Sequence, residues 1–418
     1  MILKTVRTQN TQPVQHAAIA PAQAVALHER VLLPASDGAV LPVSGLLEML
    51  PQGGGVLRDP AKSYLPTASD PVVSAELVQQ YGLRPGALVE GLARPGKNPR
   101  RGPAEPPRLV AVLHVEGHPA EAYRSSRSFA KLTPVHPFEL LRLETGPTPF
   151  STRILDLFVP VGKGQRGLIV APPRSGKTVL LKEIGQAIAT NHPQVKLVVL
   201  LIDERPEEVT DFRRTVPAEV IASNLDQSVA RHVQVAQLVV ARCQRLAEQG
   251  QDVVLLIDSL TRMARAFNKA VQRSGKTLTG GLDVHALDIP KRLFAAARAF
   301  EEGGSLTILA TALVETGSRM DDLIFEEFKG TGNLELVLDR RLAEQRIWPA
   351  IDLTRSGTRR EELLLDARTL EAVTYRRRNW DSRNPAEIMQ ATTAQLARFP
   401  TNQALVEATL RQAKLGGW

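Results

Sequence analysis

Residues 171–178 carry the strongest chemical signal in this sequence, the octapeptide Ala-Pro-Pro-Arg-Ser-Gly-Lys-Thr. It is a P-loop in which Ala171 takes the place of the usual first glycine. Gly176 lets the backbone approach a phosphate closely, Lys177 can reach the β- and γ-phosphates, and the Thr178 hydroxyl can ligate Mg²⁺. The loop therefore predicts a site for ATP with Mg²⁺. Its nucleotide-binding residues are predicted to be Pro173, Arg174, Ser175, Gly176, Lys177, Thr178 and Val179.

The sequence on either side of the P-loop fits this role. Gly167–Val170 is a short apolar run typical of a strand, and Val179–Thr190 is compatible with a helix. A strand before the loop and a helix after it direct free N–H groups and the positive end of the helix dipole at the phosphates. The alternative, a chance Gly-Lys-Thr in a turn, leaves this context unexplained.

A second candidate residue, Asp258, follows the apolar run Val253–Ile257. An acidic residue that emerges from a buried strand beside a P-loop can position the hydrated Mg²⁺. This signal is weak alone, since many strands of α/β proteins end in aspartate. Together with the P-loop it predicts a metal-binding pair, Thr178 and Asp258.

The third candidate lies in Leu200–Arg205, where another apolar run ends in Asp-Glu-Arg. A carboxylate at the end of a strand next to the P-loop strand could act as a general base on the attacking water. We assign this role to Glu204, expect a structural role for Asp203, and expect Arg205 to steady either acid. The alternative is a solvent-exposed run of charges at the start of a helix.

These residues need a sheet that brings several strand ends together. From Arg153 onward, continuous apolar runs alternate with helical spacing, a pattern typical of a largely parallel sheet buried on both faces. The spacing predicts helices over Ser228–Glu248 and Ile289–Glu301. The expected strands are Gly167–Val170, Leu197–Ile202, Val253–Ile257, Leu306–Ala310 and Leu334–Leu338. This order predicts an open α/β sheet that binds ligands at the carboxyl ends of its strands.

The sequence before this region has a different character. Short apolar runs broken by Gly and Pro, from about Leu46 to Val115, predict a small β-barrel. Within it, the Pro-rich loop Arg94–Arg108 is either a solvated hairpin loop or a polyanion contact. Its basic residues are Lys97, Arg100 and Arg101. We predict a weakly ordered extension (1–42), a barrel (43–118), a connector (119–150) and an α/β domain (151–418).

Composition limits the class of protein. Lys and Arg outnumber Asp and Glu by 52 to 44, and the net charge of +8 favours a polyanionic partner. The single cysteine, Cys243, excludes an internal disulfide framework and a cysteine-rich zinc site. No apolar run has the length of a membrane-spanning helix, and the N-terminus lacks a secretory pattern. We therefore expect a cytoplasmic protein without a membrane partner.

Several long segments resemble the transcription termination factor Rho family of ring-shaped, ATP-dependent RNA helicases. The segments that carry the resemblance are Gly164–Pro173, Leu201–Thr210, Ala230–Ala236, Ser274–Gly281, Glu326–Asn333 and Arg355–Arg359. They cover most of residues 153–365, and the alanine at the head of the P-loop is also typical of that family. The resemblance implies a RecA-like P-loop ATPase domain preceded by an OB-fold, cold-shock-like barrel.

The resemblance also implies partners and catalytic roles. The family forms a homohexamer that moves 5′ to 3′ on single-stranded RNA and releases transcripts from RNA polymerase. Arg359 would be an arginine finger that reaches a neighbour's γ-phosphate, Arg205 would lie near the nucleotide, and Trp348 would pack against adenine. The alternatives are a solvated basic loop for Arg359 and a core tryptophan for Trp348. The predicted catalytic set is Lys177, Glu204, Arg205 and Arg359.

Two loops would hold RNA in a central channel, again by resemblance. The first surrounds Ser274–Gly281 and the second is Glu315–Met320. Their glycines suit movement coupled to hydrolysis. The RNA-binding residues of the two loops are predicted to be Lys276, Thr279, Gly280, Thr316 and Arg319.

The barrel departs from the family at its stacking positions. The family has Gly-Phe-Gly-Phe-Leu-Arg where this chain has Gly-Gly-Gly-Val-Leu-Arg at 53–58, and Val72 and Leu109 occupy the later stacking positions. Of that cluster Arg58 remains, and we predict that it binds RNA. Stacking contributes about 1–3 kcal/mol per base, so we expect weak RNA binding by the barrel with a steep salt dependence.

Two other functions fit parts of the pattern. A rotary ATP synthase-like P-loop ATPase subunit would share the nucleotide domain and the hexameric plan, but Leu201–Thr210 and the channel loops favour the helicase. An RNA-binding scaffold without catalysis is the other alternative. The intact set Lys177, Thr178, Glu204, Asp258 and Arg359 argues against it.

Overall fold

The computed structural model describes residues 40–96, 105–271, 277–278, 280–380 and 384–415. Almost all of the predicted extension 1–42 lies outside this range, and so do Lys97, Arg100 and Arg101. Among the described helices, none is long and apolar enough to cross a membrane.

The N-terminal domain is a small barrel. Its elements are β1 (Leu41–Met49), β2 (Gly55–Arg58), β3 (Val72–Val73), α1 (Ala75–Tyr81), β4 (Leu88–Arg94), β5 (Arg108–Val115), β6 (His118–Pro119) and α2 (Ala120–Arg124). The strand order is β3-β2-β1-β4-β5-β6, and pairing of Val72 in β3 with Arg108 in β5 closes five strands into a barrel. Its interior is aliphatic, with Leu47, Leu57 and Val89 fully buried. The predicted barrel is confirmed.

The second domain is built on a nine-stranded sheet. Its strands are β7 (Pro134–Val135), β8 (Arg166–Ala171), β9 (Lys196–Glu204), β10 (Glu219–Asn224), β11 (Asp252–Asp258), β14 (Arg298–Phe300), β15 (Ser305–Leu313), β16 (Leu334–Val337) and β17 (Gly357–Thr358). A separate hairpin consists of β12 (Thr277–Leu278) and β13 (Leu282–Asp283). Six strands run parallel in the order β10-β9-β11-β15-β8-β16, so the predicted largely parallel sheet is confirmed.

Helices cover both faces of this sheet. They are α3 (Phe150–Phe158), α4 (Lys177–Asn191), α5 (Pro206–Thr215), α6 (Val229–Glu248), α7 (Leu260–Ala270), α8 (Asp288–Phe294), α9 (Arg319–Lys329), α10 (Arg340–Glu344), α11 (Ala367–Arg378), α12 (Pro385–Leu396) and α13 (Asn402–Lys414). Successive strand residues point to opposite cores: Leu256 packs with α4 and α5, whereas Leu255 packs with α6 and α7. Burial on both faces explains why the strands read as continuous apolar runs.

The helix predicted over Ile289–Glu301 is wrong in its second half. Helix α8 ends at Phe294, and β14 pairs antiparallel with β15 through Arg298–Leu306 and Ala299–Ser305. Strand β7, from the predicted connector, then pairs with β14 through Val135. Strand pairing overrides the helical periodicity, because the backbone of 298–300 pairs with β15, which follows closely in sequence, and with β7, which is distant in sequence.

Candidate ATP site and RNA-binding loops

The P-loop lies at the carboxyl end of β8 and leads into α4. Arg174 and Gly176 both adopt positive φ angles, 65° and 86°, and this turn exposes successive backbone N–H groups on one side. The Ser175 hydroxyl donates a hydrogen bond to the Pro172 carbonyl oxygen at 2.7 Å and closes the loop. Together with the start of α4, these N–H groups form an anion-binding site of phosphate size.

An apolar cavity of about 350 Å³ adjoins the P-loop. Its walls include Phe150, Val179 and Trp348, and Trp348 is 46% exposed. A Cβ atom on Gly176 would lie 2.7 Å from Cζ3 of Trp348, so this position requires glycine for packing as well as for its φ angle. Trp348 is therefore not a core residue but the wall of a cavity suited to a flat aromatic base.

Asp258 connects the P-loop lysine to the centre of the sheet. Its Oδ1 atom accepts hydrogen bonds from Lys177 Nζ at 2.6 Å and from the Thr311 hydroxyl at 2.9 Å. Strand β11 lies between β9 and β15, and this placement puts Asp258 at the same sheet edge as the P-loop. The structure thus brings Lys177 and Asp258 together, although 81 residues separate them in sequence.

Glu204 is a buried acid at the end of β9, with 2% of its surface exposed. Burial, and after it the nearby charge of Asp258, raises the pKa of Glu204 to about 7. Arg262 Nη1 lies 3.3 Å from Glu204 Oε2 and also donates to the Asp203 carbonyl oxygen. Asp203 has a φ angle of 56°, unusual for a residue with a side chain, and such strain is common at functional sites. A carboxyl with this pKa can accept a proton near neutral pH.

The site contains oxygens suited to a magnesium ion. Within the described part of the chain, Asp258 Oδ2 has no hydrogen-bond partner although it is buried. Thr178, the second residue of α4, directly follows Lys177 and is partly exposed. No cluster of three or more His, Cys, Asp or Glu side chains occurs among the described residues, so a metal here would take its remaining ligands from phosphate and water. The donor set fits a magnesium–nucleotide complex.

Arg359 lies at the end of the sheet opposite to the P-loop, near the amino end of β8. Its backbone N–H donates to the Asn333 carbonyl oxygen, and the Asn333 N–H donates to the carbonyl oxygen of Arg166, the first residue of β8. The P-loop follows the last residue of β8, about 17 Å further along the strand. The exposed Arg359 side chain is therefore remote from the P-loop of its own chain. Arg205, in contrast, is exposed directly after Glu204 at the start of α5.

Two further arginines, Arg166 and Arg298, form a cluster with Arg359. The sequence alone did not identify either of them as part of a site. Arg166 donates to the carbonyl oxygens of Thr331 and Ala297, and its pKa is lowered by burial and then by the charges of Arg298 and Arg359. In the described residues no carboxylate lies within salt-bridge distance of these three guanidinium groups. Arg166 lies in a segment that the sequence singles out, but the pairing of β8, β16 and β17 that joins it to Arg359 has no local signal.

Comparisons with known proteins agree with this geometry. The family model "Rho termination factor, RNA-binding domain" matches residues 43–121, and "ATP synthase alpha/beta family, nucleotide-binding domain" matches 151–358. The chain is 50% identical over 370 residues to transcription termination factor Rho of Aquifex aeolicus (strain VF5), covering 88% of this chain and 84% of that protein. The chain belongs to the transcription termination factor Rho family. The Rho factor of Haemophilus influenzae is 48% identical and is covered to 90%, as is this chain.

This member of the Rho family combines an RNA-binding barrel with a P-loop ATPase domain. A solved ATPase from a bacterial type III secretion system superposes with a TM-score of 0.56 at 20% identity, over 76% of this chain and 94% of that one. This likeness shows the shared fold. The ATP synthase-type model matches the nucleotide-binding domain only, and the Rho relatives do not favour the rotary alternative.

The two loops predicted to bind RNA lie side by side. Gly280 has a φ angle of 84°, and a Cβ atom there would lie 2.9 Å from the backbone N of Met320. The Thr316 hydroxyl donates to Asp321 Oδ2 at 2.7 Å, and Arg319, the first residue of α9, is exposed. Lys276 and Thr279 lie outside the described residues. The loops thus form one surface, and their contacts with RNA stay a prediction.

Arg58 in the barrel is engaged by protein groups. Its Nη1 atom donates to Asp70 Oδ2 at 2.5 Å, and its Nε atom donates to Glu48. The side chain is 11% exposed. Val56 and Val72 are paired across β2 and β3 and are partly buried. Arg58 could meet RNA only at its edge or after exchanging a carboxylate, and its role stays a prediction.

Proposed function

We propose that this chain forms a homohexameric ring that hydrolyses ATP, moves 5′ to 3′ along single-stranded RNA, and releases transcripts from RNA polymerase. The observation that carries the proposal is the buried Glu204, whose carboxyl has a pKa of about 7 beside Asp258. A scaffold without catalysis has no need of such a group, because burial of an ionisable acid costs stability and acids with strongly raised pKa values cluster at functional sites. Family membership and the RNA-binding barrel support RNA as the partner.

The residues around the P-loop, at the carboxyl ends of the strands, have different roles in ATP hydrolysis. Backbone N–H groups of residues 174–178 hold the phosphates, and Trp348 stacks on the base. Thr178 and Asp258 would hold a magnesium ion with the nucleotide, and the ion would neutralise charge on the phosphates. Lys177 exchanges its contact with Asp258 for the β- and γ-phosphates, and Glu204 accepts a proton from the attacking water.

In this proposal a second copy of the chain supplies a further positive charge. Arg359 and Arg166 are at the far edge of the sheet from the P-loop, and their guanidinium groups have no carboxylate partner within the described ranges. A head-to-tail contact between copies would place this edge against a neighbour's P-loop, and contacts of this kind close into rings. Arg359 then stabilises the transition state of the neighbour, with Arg205 near the same nucleotide.

The test is an ATPase assay with and without poly-pyrimidine RNA, accompanied by a native mass. We expect turnover to rise with RNA and the mass to correspond to six chains. Lys177→Ala removes the side chain that reaches the phosphates, so it should abolish turnover and leave RNA binding partly intact. Turnover that persists in Lys177→Ala would show that the site is wrongly assigned. Turnover insensitive to RNA would contradict the translocase function and leave only a P-loop ATPase.

A further inference from the structure

The residues that precede Arg359 are fixed by two buried hydroxyl groups. The Thr358 hydroxyl donates a hydrogen bond to the Pro160 carbonyl oxygen at 2.8 Å. The Ser356 hydroxyl donates to the Asp352 carbonyl oxygen at 2.6 Å. Both hydroxyl side chains are buried, whereas Arg359 itself is exposed. Arg359 therefore projects from the end of an anchored strand, β17, and not from a solvated loop.

Asn333 holds the backbone of Arg359 against strand β8. The Arg359 N–H donates to the Asn333 carbonyl oxygen at 2.9 Å, and the Asn333 N–H donates to the Arg166 carbonyl oxygen at 3.0 Å. The side chain of Asn333 adds a third hydrogen bond, because its Oδ1 atom accepts from the Arg166 N–H at 2.8 Å. One residue thus connects the backbone of Arg359 to the first residue of β8.

Gln165 in turn fixes Asn333. Its Nε2 atom donates to Asn333 Oδ1 at 2.8 Å and to the Asn333 carbonyl oxygen at 3.0 Å. Both of these atoms are acceptors, so the nitrogen of the Gln165 amide must face them. Gln165 is 1% exposed, and its Oε1 atom has no hydrogen-bond partner among the residues that the structure describes. An aliphatic side chain would avoid the unfavourable burial of that oxygen, so packing alone does not explain a glutamine here.

We propose that Asn333 and Gln165 are positioning residues that set the direction in which Arg359 projects toward a neighbouring copy of the chain. This inference rests on the proposed function, in which Arg359 acts on a neighbour's nucleotide, and adds the two amides that orient it. A cavity of about 380 Å³ adjoins Arg359 and leaves its guanidinium group room to turn. The reach of the side chain is therefore limited by its backbone, and a displacement of about 1 Å at a catalytic group can lower a rate about 10²-fold.

The first experiment measures ATP hydrolysis with poly-pyrimidine RNA, and binding of a fluorescent ADP, in the full-length chain. Asn333→Ala removes the Oδ1 acceptor, and Gln165→Leu replaces the buried amide by an aliphatic side chain of similar size. We expect each change to lower kcat about 10- to 100-fold. The affinity for ADP should stay the same, because ADP lacks the γ-phosphate that Arg359 would reach. Asn379→Ala, at an exposed asparagine that follows α11, should behave as the wild type.

Rings co-refolded from two variants separate positioning from a general loss of stability. Asn333→Ala leaves its own P-loop intact, so mixing it with Lys177→Ala should give rings more active than either variant alone. Mixing it with Arg359→Ala should give no gain, because both changes damage the same end of the sheet. Gln165→Leu, which keeps the core filled, should behave as Asn333→Ala in both mixtures.

Three results would overturn the inference: a wild-type kcat in Asn333→Ala, a gain when it is mixed with Arg359→Ala, or no gain from either variant with Lys177→Ala. The reference mixture of Arg359→Ala with Lys177→Ala tests the proposed function separately. If that mixture also gains no activity, the site shared between copies is wrong, and the positioning role is overturned with it.

Discussion

Glu204 is the residue whose chemistry depends most on its surroundings. Burial and the charge of Asp258 raise its pKa to about 7, and a general base acts only when deprotonated. We therefore expect kcat to rise as the pH increases from 6 to 8 and then to level off. Glu204→Gln should lower kcat by about 10²- to 10⁴-fold with little change in nucleotide affinity. The measurement is kcat against pH under saturating ATP and RNA, and a flat profile would assign the base elsewhere.

The sequence predicts some of these residues and not others, for a physical reason. Glu204 and Asp258 are the last residues of β9 and β11, and Lys177 ends the loop that follows β8. The parallel sheet brings the carboxyl ends of these strands together whatever the helices between them are. Arg166 and Arg298 gain their place beside Arg359 only through the pairing of β8, β14, β15, β16 and β17. No local pattern encodes such pairing, so the arginine cluster emerges only from the structure.

At the scale of elements, β2 and β3 of the barrel offer a gain-of-function prediction. Val56 and Val72 are directly paired on adjacent strands, where the Rho family has aromatic residues. Val56→Phe with Val72→Tyr should restore a stacking surface and strengthen binding of short pyrimidine RNAs by about 1–3 kcal/mol per stacked base. The slope of affinity against salt should stay unchanged, because phosphate contacts are the same.

Fluorescence anisotropy at two salt concentrations measures both quantities. A control with Leu41→Tyr introduces an aromatic ring at an exposed position of β1 that pairs with β4 and not with β2 or β3. Equal gains in the control and the double variant would show that any added aromatic suffices. No gain in either would mean that the barrel does not present this face to RNA.

The failed helix prediction at Ile289–Glu301 shows the limit of periodicity at this scale. Its first half is a helix, and the apolar spacing there is correct. In its second half Ala299 and Phe300 are buried by pairing with β15 and β7 instead. A strand this short lacks a periodic signal of its own, so helical spacing extends over it by default.

At the scale of the whole molecule, the two domains share a hydrogen-bonded interface that no motif predicts. Arg231 of α6 donates to the carbonyl oxygens of Tyr64 and Ser63 in the barrel. Gln234 donates to Glu48 at 2.6 Å, and Glu48 in turn engages Arg58. The ATPase domain therefore fixes the carboxylate that holds Arg58, the barrel arginine predicted to bind RNA. The fold of each domain can be predicted from the sequence. The arrangement of the two domains depends on contacts between side chains more than 150 positions apart.

A site shared between copies predicts complementation between inactive chains. In a mixed ring, an Arg359→Ala chain supplies an intact P-loop and a Lys177→Ala chain supplies an intact arginine edge. A site is complete where the P-loop of an Arg359→Ala chain faces the arginine edge of a Lys177→Ala chain. In a head-to-tail ring assembled from equal amounts of the two chains, random mixing gives roughly a quarter of such complete sites. We expect the co-refolded mixture to recover ATPase activity that neither variant has alone. Mixing Lys177→Ala with Glu204→Gln is the matched control, because both changes damage the same edge and leave every site defective. Equal activity in the two mixtures would show that Arg359 acts within its own chain.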